Sequence, residues 1–194
     1  MKKKLASVVM VVCLAVCLGG CVKVIDKGTE AQYTGEVAFD AAADSSGDWG
    51  QIAEEISGAA QELTEVLSGD GIGSSTLAVK GSGTIAEYIE KGPKHILRIE
   101  LDGEGGSETI LLQIGTVYSG TALRDIQTLK NFESFTNQTE WSQYAKALNA
   151  EMHTQVVEPL AIDDSAVGKK VTFTGGATQS GTEVTITPSS LTIE

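Results

Sequence analysis

His95-Ile96-Leu97-Arg98-Ile99-Glu100-Leu101 alternates apolar and polar side chains from Leu97 onward, and Asp102-Gly-Glu-Gly-Gly-Ser107 separates it from a second apolar run, Thr109-Ile-Leu-Leu-Gln-Ile114. Successive side chains of a strand point to opposite faces, so Leu97, Ile99 and Leu101 share a core face while Arg98 and Glu100 face outward. The glycines between the runs supply positive φ at little cost and make the unit a hairpin. The connection has no phosphate-loop lysine and no following helix. Working outward, Thr76 to Lys80 and Thr84 to Ile89 read as further strands before the hairpin. Near the end of the chain Lys170 to Thr174 and Val184 to Ile193 alternate in the same way, with Gly175-Gly176 and Ser180-Gly181 as tight turns.

Helical spacing fills the intervals between strands. Trp49, Ile52, Ile56, Ala59, Ala60, Leu63, Val66 and Leu67 recur at steps of three and four from an Asp48 cap, with Gly69 as the stop and Gly69 to Ser75 as a loop. Trp141, Tyr144, Ala145, Leu148, Met152 and Val156 do the same from an Asn137 cap, with Glu140 three residues on and Pro159 at the end. Tyr33 to Phe39 reads as a short strand. Helix, strands, helix, strands is the order of an α+β domain, not of a parallel βαβ sheet.

The amino terminus carries a different message. Lys2, Lys3 and Lys4 precede an apolar run from Leu5 to Leu18, and Leu18-Gly19-Gly20-Cys21 follows, the pattern of a bacterial lipoprotein signal. The run is shorter than the ~20 residues a membrane-spanning helix needs. Residues 1–20 are read as the signal peptide, 21–32 as a lipidated tether and 33–194 as a single α+β domain. Cys21 is the lipid attachment site, taking diacylglycerol and palmitate-type acyl chains that anchor the domain at the cell membrane, facing the periplasm or the exterior. The other reading is an ordinary secretory signal followed by an unmodified cysteine. Cys13 and Cys17 leave with the signal, so the domain has no disulfide framework and no cysteine metal site.

Loss of the three signal lysines takes the formal charge from −12 to about −15, and the only arginines are Arg98 and Arg124. Nucleic acid needs clustered cations and is not an expected partner. The same acidity opposes flat adsorption to anionic lipid, so contact with the membrane is expected through the anchor. Asp40-Ala-Ala-Ala-Asp44-Ser-Ser-Gly-Asp48 lacks the alternating ligands and closing glutamate of a calcium loop, and no metal or cofactor is expected.

Gln113-Ile-Gly-Thr-Val-Tyr-Ser-Gly-Thr-Ala-Leu-Arg-Asp125, followed by Phe132, Phe135-Thr-Asn-Gln138 and Trp141, resembles the signature of the DUF2291 family of predicted periplasmic lipoproteins. Phe39-Asp40-Ala-Ala with Trp49, and Gly168-Lys-Lys-Val-Thr-Phe-Thr-Gly175, extend the likeness over nearly the whole mature chain. Val22, where the family pattern has a lysine directly after the cysteine, is a departure confined to the tether. The resemblance implies a small envelope lipoprotein without an assigned activity, of a kind that accompanies sugar-uptake systems. Short strands closing around a helix, with Val79-Lys80-Gly81 and Val171-Thr172-Phe173-Thr174-Gly175 as strand ends, resemble an OB-like small antiparallel β-barrel, here with two amphipathic helices. That shape does not bring nucleic-acid binding with it.

Candidate contacts lie in the signature. Arg124 beside Asp125 and Thr121 would present a guanidinium fork to a carboxylate or a hydroxyl pair; alternatively Thr121 caps a short helix and a nearby carboxylate holds Arg124. Asn137 and Gln138 beside Trp141 pair amides with an aromatic ring, as a sugar site would, while Asn137 also fits a helix cap. His95 in a strand and His153 in the last turns of a helix need no catalytic role. Gly-x-Ser-x-Gly and His-Glu-x-x-His are both absent from the sequence, and no catalytic residue is assigned. The expected function is a non-catalytic binding or adaptor module that contacts an envelope transport protein or a small polar solute. The alternatives are an envelope carbohydrate hydrolase, marked by a carboxylate pair in a cleft, and a purely structural spacer.

Overall fold

The computed structural model describes residues 39–103 and 107–194, of which Asp40–Glu194 form one unit. The expected signal, tether and Cys21 lie outside the described residues, as does all of the Tyr33 to Phe39 strand except Phe39 itself.

Helix α1 (Ala41–Ala59) starts from Asp40, not Asp48, because the Asp40 carboxylate accepts hydrogen bonds from the N–H groups of Ala42 and Ala43 at 3.0 and 3.1 Å. Its buried face is Trp49, Ile52 and Ile56. The helix does not reach Gly69. At Ala60 the backbone extends, Gln61–Glu62 (β1) pairs in parallel with Val79 and Lys80, and a short helix α2 (Leu63–Ser68) follows. Gly69 ends α2, donating its N–H to the carbonyls of Glu65 and Val66. Leu63 and Leu67 are buried like the α1 residues, so the apolar period runs straight through the break. The pairing that imposes the break comes from a distant strand.

Strand β2 (Leu77–Lys91) is continuous where two strands were expected. Its first half pairs with β5 (Lys170–Ser180), from Leu77 opposite Ala177 to Thr84 opposite Lys170. Its second half pairs with β3 (Lys94–Leu101), from Gly83 opposite Leu101 to Lys91 opposite Lys94. Gly83 has partners on both sides, and a Cβ there would lie 2.3 Å from the Glu100 carbonyl oxygen. The glycine marks a close approach of two backbones, not a gap between strands.

Strand β4 (Thr109–Gln113) lies antiparallel to β3, completing the expected hairpin; Glu104 to Gly106 of its connection fall outside the described residues. Strand β6 (Glu183–Ile193) then pairs in parallel with β4 and antiparallel with β5. The ring β2-β3-β4-β6-β5 closes on itself, antiparallel at every seam except β4 with β6. Gly175-Gly176 is not a turn: β5 runs through it with a register shift, and a Cβ on Gly175 would lie 2.2 Å from the Thr187 carbonyl oxygen. The turn falls at Gly181, φ 60°. Val79, Ile85, Leu97, Leu112, Phe173 and Ile186 are sealed inside the ring, each contributing roughly 1.5–3 kcal/mol by leaving water.

Between β4 and β5 the chain forms α3 (Ala122–Ile126) and α4 (Gln138–Met152), which packs on α1. His153–Val157 form a π turn, so that Val157, five residues after Met152, takes the buried place expected for Val156. The helical segment stops after Pro159 at Ala161, φ 45°. Among the described residues no helix is long and apolar enough to cross a membrane.

Candidate functional site

Two buried glutamines position the signature loop. Gln113, the last residue of β4, donates from Nε2 to Thr187 Oγ1 on β6 at 2.9 Å and to the Ser119 carbonyl at 3.1 Å, and accepts the Ser119 N–H at Oε1. Gln127 follows α3 and ties the next loop in the same way. Its Nε2 donates to the carbonyls of Arg124 and Lys130, and its Oε1 accepts the Lys130 N–H at 2.8 Å. Buried amides with every arm engaged hold backbone firmly, because an unpaired arm costs about 1–3 kcal/mol.

On this support four of the expected site residues come together. Arg124 Nε and Nη2 donate to Asp125 Oδ1 at 2.8 and 2.5 Å, and Thr121 Oγ1 donates to Asp125 Oδ2 at 2.5 Å. The guanidinium lies 4.3 Å from the centre of the Trp141 ring, within cation–π range. The Arg124 side chain is only 14% exposed, and its fork is closed on the neighbouring carboxylate. Thr121 stands at the N-cap position of α3, but its hydroxyl goes to Asp125 and not to the helix backbone. Asn137 and Gln138 take no part in these hydrogen bonds. Asn137 Oδ1 caps α4 by accepting the Glu140 N–H at 3.0 Å, and Gln138 is exposed on the first turn.

The stack continues inward. Phe135 lies 5.1 Å from both Trp141 and Tyr144, and Tyr144 donates its hydroxyl to Asp48 Oδ2 at 2.7 Å. Lys130 Nζ bridges Asp48 at 2.6 Å and Asp44 at 3.2 Å, and lies 5.2 Å over the Tyr144 ring. Burial pushes the Lys130 ammonium down, but the two carboxylates outweigh it and hold its pKa above the ordinary lysine value. Burial, and then the bond to Asp48, push the Tyr144 phenol up, so it stays a neutral donor. A continuous ladder thus joins α3, α4 and α1. Asp48 and Lys130 were not among the expected site residues; only the four-residue spacing of Asp44 and Asp48 on one helix face hinted at a shared cation. Phe132, 51% exposed, stands at the outer edge of the same segment.

The histidines, assigned no role on sequence grounds, share a second location. His95 Nδ1 lies 2.9 Å from the Tyr88 hydroxyl and His153 Nδ1 lies 2.8 Å from that of Tyr118, and both histidines line one cavity of about 240 Å³. No local pattern announces this, because the two residues lie 58 positions apart.

A family model described as a predicted periplasmic lipoprotein (DUF2291) matches residues 10–192. None of the curated proteins matches the sequence. Among solved structures, an OB-fold protein from Thermotoga maritima MSB8 superposes with a TM-score of 0.59 at 17% identity, covering 81% of this chain and 100% of that one. This likeness establishes the fold. A Stn1–Ten1 complex from S. pombe (TM-score 0.28, 13% identity, 60% of this chain and 57% of that one) lies too far off to bear on the argument. The same holds for an OBody bound to hen egg-white lysozyme (TM-score 0.29, 17% identity, 60% and 93%).

Proposed function

The chain belongs to the DUF2291 family of predicted periplasmic lipoproteins, and from that premise we propose a non-catalytic adaptor, tethered by lipid on Cys21, whose face around Arg124 and Trp141 docks another envelope protein. The observation that carries this reading is a pre-set, half-buried aromatic cluster packed on an arginine, with one exposed ring at its edge. Trp141 and Phe135 stack beside a guanidinium already locked by Asp125, with Phe132 exposed at the edge. Aromatic and arginine side chains held in one conformation are the typical anchors of protein interfaces, since little entropy is lost when they dock. Asn137 orients α4 so that Gln138 lies on the rim. The arrangement lends a hydrolase no support, because the aspartates gathered along the stack are engaged, Asp44 and Asp48 by Lys130 and Asp125 by Arg124. An accessory place beside a sugar-uptake system is the family-level expectation for the partner.

Photocrosslinking in intact cells tests the reading. A crosslinking residue at Gln138 should capture a discrete envelope protein that the same residue at Thr182, on the β5–β6 turn, does not. Phe132→Ala should weaken that capture about thirtyfold, the ~2 kcal/mol of an interface anchor, with the melting temperature unchanged. Equal labelling from both positions, or capture indifferent to Phe132→Ala, would remove this face from the interface. A thermal shift with a small polar solute and no crosslink would make the domain a solute binder.

A further inference from the structure

The cavity that holds both histidines has the marks of a built site, and it shares no residue with the face proposed above. It forms where the chain leaving β4 passes the β2–β3 turn and the π turn after α4. Gly115 lets these segments meet, since a Cβ there would lie 2.3 Å from His95 N and 2.4 Å from the Pro93 carbonyl. The π turn at His153–Val157 lies here, and so does Ala161, the one non-glycine residue at positive φ among the described residues. A non-glycine residue at positive φ costs on the order of 1–3 kcal/mol and is held by the structure around it, and such residues, like π turns, cluster at functional sites. Two such features and both histidines meet at one cavity.

The hydrogen-bond pattern narrows the ligand. Each imidazole meets its tyrosine edge-on, at 64° and 63°, through Nδ1. Burial pushes both phenols up, so each stays neutral and can donate to Nδ1 or accept from it. A phenol that donates to Nδ1 leaves the ring hydrogen on Nε2, and a protonated ring carries one there as well. With the phenols as donors, each ring offers an N–H. The nearest carboxylate to His95 Nε2 is Glu90, at 3.7 Å, beyond hydrogen-bond reach. Ile114, Val157 and Ile162 are the aliphatic residues of the lining, and Glu158 is its acidic one. An anion would meet Glu158 in the lining, Glu90 beside His95 and a chain of net charge −12. A metal ion would need bare Nε2 lone pairs, and among the described residues no set of three His, Cys, Asp or Glu side chains is arranged to hold one.

We propose that each phenol donates to its imidazole Nδ1 and that this cavity binds a small uncharged amphiphile, its acceptor oxygen on the Nε2–H groups of His95 and His153 and its hydrocarbon against Ile114, Val157 and Ile162. The volume, below the roughly 300–1,000 Å³ of drug-sized pockets, sets the size class. Nitrogen-15 NMR of the histidine-labelled full chain in lipid nanodiscs, titrated with butyramide, tests it. Both rings should report the Nε2–H tautomer and shift saturably. His153→Ala should weaken binding about five- to tenfold, the worth of one hydrogen bond. Tyr118→Phe, which frees the tautomer but leaves the lining in place, should also weaken it, with melting curves showing that each variant is folded. An Nδ1–H tautomer at His153 overturns the proposal. So do rings that ignore butyramide, butyrate binding more tightly than butyramide at about pH 7.5, and stoichiometric Zn²⁺ capture by the two rings.

Discussion

Lys130 shows most directly how a single side chain comes to matter. It stands in a loop with no helical or strand signal, yet its ammonium joins Asp44 and Asp48 of α1 beneath the Tyr144 ring. Lys130→Met leaves Asp48, 18% exposed, facing the Tyr144 hydroxyl without its cation. We expect a loss of about 2 kcal/mol, between the values for exposed and fully buried pairs, read as a lower urea midpoint at constant slope. The pH dependence has a definite sign. The folded pKa lies above the unfolded value, so this contribution is complete below the ordinary lysine value of 10.5 and is lost as pH climbs through the higher folded value. The raised Tyr144 phenol acts in the same direction. Comparing urea midpoints at about pH 8 and pH 11, the drop in stability should therefore be smaller in Lys130→Met than in the parent. Of the expected contacts at this scale, Arg124, Asp125, Thr121 and Trp141 were legible because they fall within one short signature. Lys130, Asp48 and the histidine pair were not, since each acquires its role from a residue far along the chain.

Elements obeyed their periodicity, and departed from it wherever another element imposed a condition. The glycines separate the two cases. Gly47 and Gly50 sit in exposed turns of α1 with open space where a Cβ would go, so Gly50→Ala should stabilise the domain by about 0.5–1 kcal/mol through helix propensity. Gly83→Ala should cost about 3 kcal/mol or prevent folding, because the new methyl meets the Glu100 carbonyl in the seam where β2 changes partners. Thermal unfolding of the two variants checks both signs. To the sequence these glycines look alike, as breakers or turns. The break at Ala60, the unbroken course of β2 and the bulge at Gly175 all follow from pairing between strands far apart in sequence, where a one-residue change of register would turn every side chain to the other face.

For the whole molecule, the proposed anchor and the barrel make separable predictions. Cys21→Ser should abolish incorporation of labelled palmitate and move the protein from the membrane to the soluble envelope fraction, while the circular dichroism of the domain stays the same. Retained membrane binding after that change would mean that something other than the lipid holds the protein there. The sequence by itself determined the envelope address, the acidic surface, the α+β order and the faces of the main strands and helices, because charge, hydropathy and period are properties of neighbours along the chain. Only the tertiary structure decided that β2 closes the ring against both β3 and β5, that β4 and β6 run in parallel, that Arg124 is locked onto Asp125 over Trp141, and that His95 and His153 share a cavity. Those outcomes depend on which distant backbones find hydrogen-bond partners in one another and on which side chains lose water together, and neither is encoded in any local pattern.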